Sequence, residues 1–358
     1  MKKNALSLLI PILLWGSACG PAEPGQHQLR YKKFSGPTMG TRYNVTYSDT
    51  LARELQPEVD QLLLDINQEV STYIDSSVIS QFNQSPDPFA LEDKLYTSSF
   101  EATGDFHFRN NYGFAVEVYK KTRGLFDPTV MPLVNYWGFG YTEKKAVTAV
   151  DSVVVDSLMQ LVGFDKLAYL TDQGNYRLRK SHPGIQLDFS ALAKGYAVDE
   201  IGRLLESRGI RNYLVDIGGE VRTRGKNQRG DWWRLGISLP EEGADMKAIF
   251  STVQLDNRAM ATSGNYRNYY RVGEASYAHT INPRTGYPEK STLLSASVVA
   301  ESCILADAYA TAFMVMGLDS ALVLAQDLEG VEAYLIYSTE TGELAARSTD
   351  GMKAFLQK

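Results

Sequence analysis

Cysteine and histidine are scarce, at 2 and 4 of 358 residues. The cysteines, Cys19 and Cys303, are too few for a disulfide framework. Cys19 also lies beside a segment that reads as cleaved, so the mature fold is expected to hold no internal disulfide, with Cys303 in the core. The histidines are His27, His107, His182 and His279, and none pairs with another His or with Cys at metal-ligand spacing, which argues against zinc-hydrolase chemistry. A basic excess is missing as well. The 36 Lys and Arg face 42 Asp and Glu, for a formal charge of -6, which argues against a nucleic-acid partner. There is no Walker-type phosphate loop, and Gly138-Phe139-Gly140 lacks the third glycine and the helix of a dinucleotide fingerprint. What is present is 44% hydrophobic and 22% charged, the composition of a globular, enzyme-like chain.

The N-terminus reads as an export signal over residues 1–18. Lys2 and Lys3 form its charged start, and the apolar run Ala5 to Trp15 is too short to span a bilayer. Small residues at Gly16 and Ala18 suit ordinary signal peptidase, whereas Ser17-Ala18-Cys19 resembles a bacterial lipobox, with Gly16 in place of the usual Leu. The lipoprotein reading is preferred, because residues 19–28 form a Pro/Gly/Gln-rich tether without folding signals. Residues 29–358 then form one unit with two lobes, expected in the cell envelope and lipid-anchored on the periplasmic side of the inner membrane.

The chain is organised around Leu187-Asp188-Phe189-Ser190-Ala191-Leu192-Ala193-Lys194-Gly195. A β-like run over Gly184 to Leu187 ends on Asp188. A helix follows, with Ala193, Ala197, Ile201, Leu204 and Leu205 at helical spacing, stopped by Arg208-Gly209. A strand Asn212 to Val215 leads to Asp216 and Gly218-Gly219. Lys194 falls in the first helical turn, where a cation is unfavourable and an anion welcome. A solvated lysine and a phosphate or cofactor site both fit that placement.

Elsewhere, amphipathic helices are predicted over Glu54 to Tyr73 and Tyr112 to Thr122, a short helical insertion within Val147 to Val162, and a hairpin over Lys166 to Leu178. Antiparallel strands are predicted after Asp216, at Glu220 to Arg224, Trp233 to Ser238 and Ile249 to Leu255. The fold class is therefore α+β, with mixed or antiparallel sheets and packed helices. His107 and His182 read as surface residues. His279, on a Tyr-rich strand before a Pro/Gly turn, is either structural or a general base. Asp307 and Thr311 share one face of a buried helix, which suits either Mg²⁺ or a hydrogen-bonded structural pair. Thr262-Ser263-Gly264 offers either an ordinary turn or backbone N–H groups for an anion. Met39, on a glycine-flanked turn, either packs in the core or lies against a flat ring.

Taken together, these segments resemble the ApbE family of FAD:protein FMN transferases. The resemblance runs from about Phe34 to Gly317 through Thr38-Met39-Gly40-Thr41, Ser71-Thr72-Tyr73, Phe126-Asp127-Pro128-Thr129-Val130 and Leu187-Asp188-Phe189 with Ala193-Lys194-Gly195-Tyr196. It continues through Asp216-Ile217-Gly218-Gly219-Glu220, Ala261-Thr262-Ser263-Gly264, His279-Thr280-Ile281-Asn282-Pro283 and Ala306-Asp307-Ala308-Tyr309-Ala310-Thr311. The fold it implies is an ApbE-like one, related to the T-fold. The activity it implies is Mg²⁺-dependent transfer of FMN from FAD to a Thr or Ser hydroxyl of a target protein, with release of AMP. Hydrolysis of FAD to FMN and AMP, or flavin binding without turnover, are the alternatives. By resemblance Met39, Tyr73, Leu125, Phe126, Asp127, Asp188, Lys194 and Ile281 contact FAD. The Ala191 carbonyl, Asp307 and Thr311 hold Mg²⁺, and His279 with Lys194 is catalytic. Asn282 stands where the family commonly has Asp. The partners implied are flavin-bearing subunits of membrane redox complexes of the Na⁺-pumping quinone reductase (Nqr) and Rnf types.

Overall fold

The computed structural model describes residues 30–86, 89–91, 106–141, 150–172, 175–241, 243, 245, 248–265, 269–272, 275–278, 280–289 and 291–357. The export signal and the tether lie outside them. In chain order the elements are β1 (Arg30–Thr38), β2 (Thr41–Asp49), α1 (Gln56–Val70), α2 (Val78–Gln84), β3 (Phe89–Leu91), α3 (Phe106–Lys121), α4 (Met131–Tyr136), α5 (Ser152–Met159), β4 (Leu167–Asp172) and β5 (Asn175–Lys180). They continue with α6 (Ala193–Ser207), β6 (Tyr213–Ile217), β7 (Glu220–Arg224), β8 (Trp233–Ser238), β9 (Ile249–Leu255), β10 (Ala259–Gly264), β11 (Tyr269–Val272), β12 (Ala275–Ala278), β13 (Leu293–Ala300), α7 (Cys303–Met316), α8 (Leu318–Asp327), β14 (Glu332–Ser338) and β15 (Leu344–Ser348). No helix among the described residues is long and apolar enough to cross a membrane.

An eight-stranded antiparallel sheet in the order β1-β2-β6-β7-β10-β13-β14-β15 is the frame, and the class is α+β as expected. Strand alternation divides its side chains between two cores. Ala259 and Ala261 of β10 join the main core, shared with α6 and α7, whereas Met260 between them joins a second core with Ile237 and Val253 of the β8–β9 pair. Helix α7 is built from small residues, and Ala306, Ala308, Ala310 and Ala312 are all fully buried. That lets it lie close to α6. At the closest point Gly195 has no room for a Cβ, which would collide with the Cys303 carbonyl and come within 2.9 Å of the Asp307 Cβ.

Three expectations are corrected. Gly184 to Leu187 is not a strand, and Gly184 ends a turn that the Ile185 N–H closes on the His182 carbonyl at 3.1 Å. Leu187 is held by a side chain: its N–H donates to Asn83 Oδ1 at 2.7 Å, and Asn83 Nδ2 donates to its carbonyl at 2.9 Å. Thr262-Ser263-Gly264 is not a turn but the end of β10, paired with Ser297, Ala296 and Ser295 of β13. His107 is not on the surface. Helix α3 begins ahead of the expected Tyr112, and His107, in its first turn, is 1% exposed with Nδ1 2.8 Å from the Tyr196 hydroxyl. Burial pushes its pKa down to about 4. His182 is exposed and Cys303 is buried, as expected. Helix α8 had no counterpart among the predicted elements.

Candidate active site at the α6–α7 crossing

Strand β7 leaves the Gly218-Gly219 turn, whose positive φ angles of 63° and 105° suit glycine, and sends alternate side chains toward α6. Glu220 meets Lys194, with Nζ donating to Oε1 at 2.6 Å. Arg222 meets Asp199 at 2.8 Å and Glu206 at 3.4 Å, and Arg224 meets Glu206 at 2.9 Å. This ladder of opposite charges fixes where α6 sits on the sheet, and so where Lys194 sits.

Lys194 is the second residue of α6, where the helix dipole disfavours a cation. Two carboxylates compensate, Glu220 and, 3.9 Å away, Oδ2 of Asp307. Burial pulls the Lys194 pKa down, but the charges of Asp307 and Glu220 outweigh it and hold it above the usual lysine value. Burial also lifts the Glu220 carboxyl to about 7 against the pull of Lys194, and raises that of Asp307. Glu220 was not among the residues expected at the site. Its signal in the sequence was only its place after Asp216-Ile217-Gly218-Gly219.

Asp307, 3% exposed on α7, accepts the Gly195 N–H on Oδ2 at 3.0 Å. That N–H is one of the first-turn donors a helix leaves without an intrahelical partner, since the first α6 bond runs from Tyr196 N to the Leu192 carbonyl, and Asp307 satisfies it. The Ala191 carbonyl, just ahead of α6, accepts no hydrogen bond among the described residues. Thr311 lies one turn beyond Asp307, and its hydroxyl is 3.1 Å from Ser263 Oγ, which follows Ala259 and Ala261 on the helix-facing side of β10. Asp307 Oδ1, Thr311 Oγ1 and the Ala191 carbonyl are hard oxygens carried on α7 and on the segment that leads into α6, two of them without a hydrogen-bond donor among the described residues. That donor set fits Mg²⁺, which takes oxygen ligands and keeps positions for water and phosphate.

A second group of expected residues includes Met39, Tyr73 and Asp188. Met39 occupies the two-residue β1–β2 turn at φ 46°, a left-handed conformation uncommon for a residue with a side chain. Its hairpin lies against the end of α1, where Asn67 Nδ2 reaches Thr38 Oγ1 at 3.3 Å. Tyr73 follows α1 and is 69% exposed, an unusually open aromatic ring. The Asp188 charge acts on its hydroxyl, raising its pKa further after desolvation. Asp188 accepts the Ser190 N–H at 2.9 Å and hydroxyl at 2.5 Å, and its own N–H donates to the Pro128 carbonyl at 2.9 Å, which ties in the Phe126-Asp127 segment. Burial raises the Asp188 pKa, against the pull of the Ser190 bonds.

The other expected residues are more deeply packed. Asp127 is buried and accepts from Thr129 N and Oγ1 at 2.8 and 2.6 Å and from Phe164 N at 3.2 Å, with its pKa lifted to about 6 by burial. Phe126 is 4% exposed and Leu125 half-buried. Ile281 packs in a separate small core with Leu133, Trp137 and Val155. His279 lies outside the described residues. Its neighbour Thr280 is buried and bonds Asn265 at 2.9 Å. Asn282 uses both ends of its amide, donating to Glu289 and accepting from Arg284 N, so the turn holds without an aspartate.

Comparison with known proteins places the chain in a family. The ApbE family matches residues 39–335. The chain belongs to the ApbE family. A curated relative from Vibrio cholerae, named FAD:protein FMN transferase, is 35% identical over 99% of this chain and 100% of its own. One from Haemophilus influenzae with the same name is 34% identical over 90% of this chain and 91% of its own. Among solved structures, the flavin transferase ApbE from Vibrio cholerae superposes with a TM-score of 0.77 at 33% identity, covering 92% of this chain and all of that one. The apo flavinyl transferase ApbE of Pseudomonas stutzeri gives 0.76 at 30% identity, covering 91% and 97%.

Proposed function

We propose that the protein transfers the FMN half of FAD to a Thr or Ser hydroxyl of a target protein, releasing AMP, in a Mg²⁺-dependent reaction. The observation that carries the reading is the α6–α7 crossing, where Lys194 lies 3.9 Å from Asp307 and the Gly195 N–H is bound to it, with Thr311 one turn along α7 and Ala191 just ahead of α6. Cleaving a pyrophosphate requires neutralising its charge, stabilising the leaving AMP and placing a nucleophile in line. Ala191, Asp307 and Thr311 would hold the Mg²⁺, which would supply charge neutralisation for the pyrophosphate. Lys194, kept protonated by its carboxylates, binds the pyrophosphate at the N-terminus of α6. Met39 and the open ring of Tyr73 receive the flavin, and His279 takes the proton of the acceptor hydroxyl. In this reading the acceptors are flavin-bearing subunits of membrane redox complexes of the Nqr and Rnf types, and Cys19 carries the lipid anchor that keeps the enzyme at the periplasmic face.

The test is to incubate the mature protein with FAD, Mg²⁺ and an acceptor domain, following AMP release and in-gel flavin fluorescence of the acceptor. Fluorescent acceptor is expected. AMP without label indicates a pyrophosphatase, and neither product indicates a flavin-binding protein. Asp307→Ala is expected to reduce both signals to background while circular dichroism stays native, and unchanged turnover would remove the metal assignment. In the same assay His279→Ala lowers labelling far more than FAD binding; equal losses in both overturn its role as base.

A further inference from the structure

Glu220 differs from an ordinary buried ion-pair partner. It is 4% exposed, yet only Oε1 is engaged, by Lys194 at 2.6 Å, and Oε2 has no hydrogen-bond partner. A buried carboxylate oxygen without a donor is costly, so one held there without compensation points to a role other than stability. Asp199, the next acid along α6, shows the stabilising arrangement, with Oδ1 accepting from Arg222 and Cys303 N and Oδ2 from Ile304 N. Lys194 has a choice of two carboxylates and is bonded to one. Its Nζ is in hydrogen-bond contact with Glu220, whereas at 3.9 Å from Asp307 Oδ2 it is in ion-pair range only.

We propose that Glu220 is a positioning residue that holds the Lys194 ammonium off Asp307, so that Asp307 stays open to a divalent cation. The inference rests on the metal site proposed above. Without Glu220, the nearest anion to Lys194 is Asp307, and a shift of about 1 Å would turn the 3.9 Å ion pair into a charge-assisted hydrogen bond. The lysine would then compete with the metal for the same carboxylate charge. With Glu220 present, the two cations have separate partners. The geometry keeps Glu220 from following the lysine. Its strand starts directly at the Gly218-Gly219 turn, the register Ile217↔Glu220 closes the hairpin, and a Cβ at Gly218 would come within 2.9 Å of Thr41 on β2. Arg222 and Arg224, on the same face of β7, anchor the strand to α6.

The experiment measures Mn²⁺ binding directly, from the electron paramagnetic resonance signal of free Mn²⁺, without FAD or acceptor. Wild type, Glu220→Gln, Lys194→Ala and the double variant are compared, each verified as folded by circular dichroism. Glu220→Gln is expected to weaken Mn²⁺ binding by about 10–100-fold, the range for residues that orient metal ligands. Lys194→Ala is expected to bind at least as tightly as wild type, and the double variant within about threefold of Lys194→Ala, because the competing ammonium is gone. Equal weakening by Glu220→Gln with and without Lys194 overturns the proposal, since Glu220 would then act directly on the ion. So does wild-type binding in Glu220→Gln. A wild-type protein that binds no Mn²⁺ instead overturns the metal site itself, and this inference with it.

Discussion

Strand β7 and helix α6 build two ionic clusters from the same kind of parts, and the two are finished differently. At one end Asp199, Arg222, Glu206, Arg224 and the Tyr213 hydroxyl form a closed network, with Asp199 also accepting the first two N–H groups of α7. Ser302, the N-cap of α7, makes no side-chain cap bond, so an acid on a neighbouring helix does the capping. At the other end Lys194, Glu220 and Asp307 leave oxygens without donors and carboxyl pKa values raised by burial. The closed cluster holds the helices together. The open one has binding capacity left over, as expected where structure is given up for function.

The sharpest way to break this comparison is to remove one acid from each cluster. Asp199→Ala leaves Arg222 with its weaker partner Glu206 and two buried α7 N–H groups without an acceptor. Losing one partner of a buried ion pair costs about 3–5 kcal/mol, and a marked fall in melting temperature is expected. Asp307→Ala, measured in EDTA at pH 8, removes an anion that the native environment disfavours, as its raised pKa shows. It also leaves the Gly195 N–H without its acceptor, a loss of about 1–3 kcal/mol that relief of the buried charge offsets, so its net cost is expected to be smaller than that of Asp199→Ala. Equal melting temperatures for the two variants would erase the distinction.

That distinction was only partly legible in the sequence. The α1 stripe of Val59, Leu62, Leu63, Ile66 and Val70 and the all-small face of α7 announce themselves by period, because burial repeats with the helix. Asp307 and Thr311 were legible for the same reason. Glu220 was not, since its partner Lys194 is 26 residues away and nothing local marks a strand acid as buried. The false strand at Gly184 to Leu187 has a similar cause, since the bonds that complete it come from Asn83, 104 residues earlier. His107 was misread because Gly104-Asp105 before it and Arg109-Asn110-Asn111 after it suggest a loop, whereas its burial comes from packing α3 near Tyr196. The bond from the Gly195 N–H to Asp307 depends on a helix crossing that no spacing rule describes.

The two clusters are also expected to respond to pH with opposite signs, which sharpens the comparison at smaller amplitude. The Glu220 pKa is raised from 4.5 to about 7 in the folded protein. Its contribution to stability is therefore complete below about pH 4.5 and is lost as pH rises through about 7. In metal-free buffer, Glu220→Gln is expected to flatten the fall in melting temperature between pH 5 and about 8 by a few degrees. Glu206 moves the other way. Desolvation would raise its pKa, but the Tyr213 hydroxyl with Arg222 and Arg224 outweighs it, and the net shift is below 4.5. Its contribution is present above pH 4.5 and fades as pH falls through the folded value. The carboxylate is partly exposed, so solvent screens it, and Glu206→Gln is expected to cost under about 1 kcal/mol at pH 7 and less at pH 4. If both variants tilt the melting curve in the same direction, the open and closed clusters are not electrostatically distinct, and the division of labour along β7 fails with them.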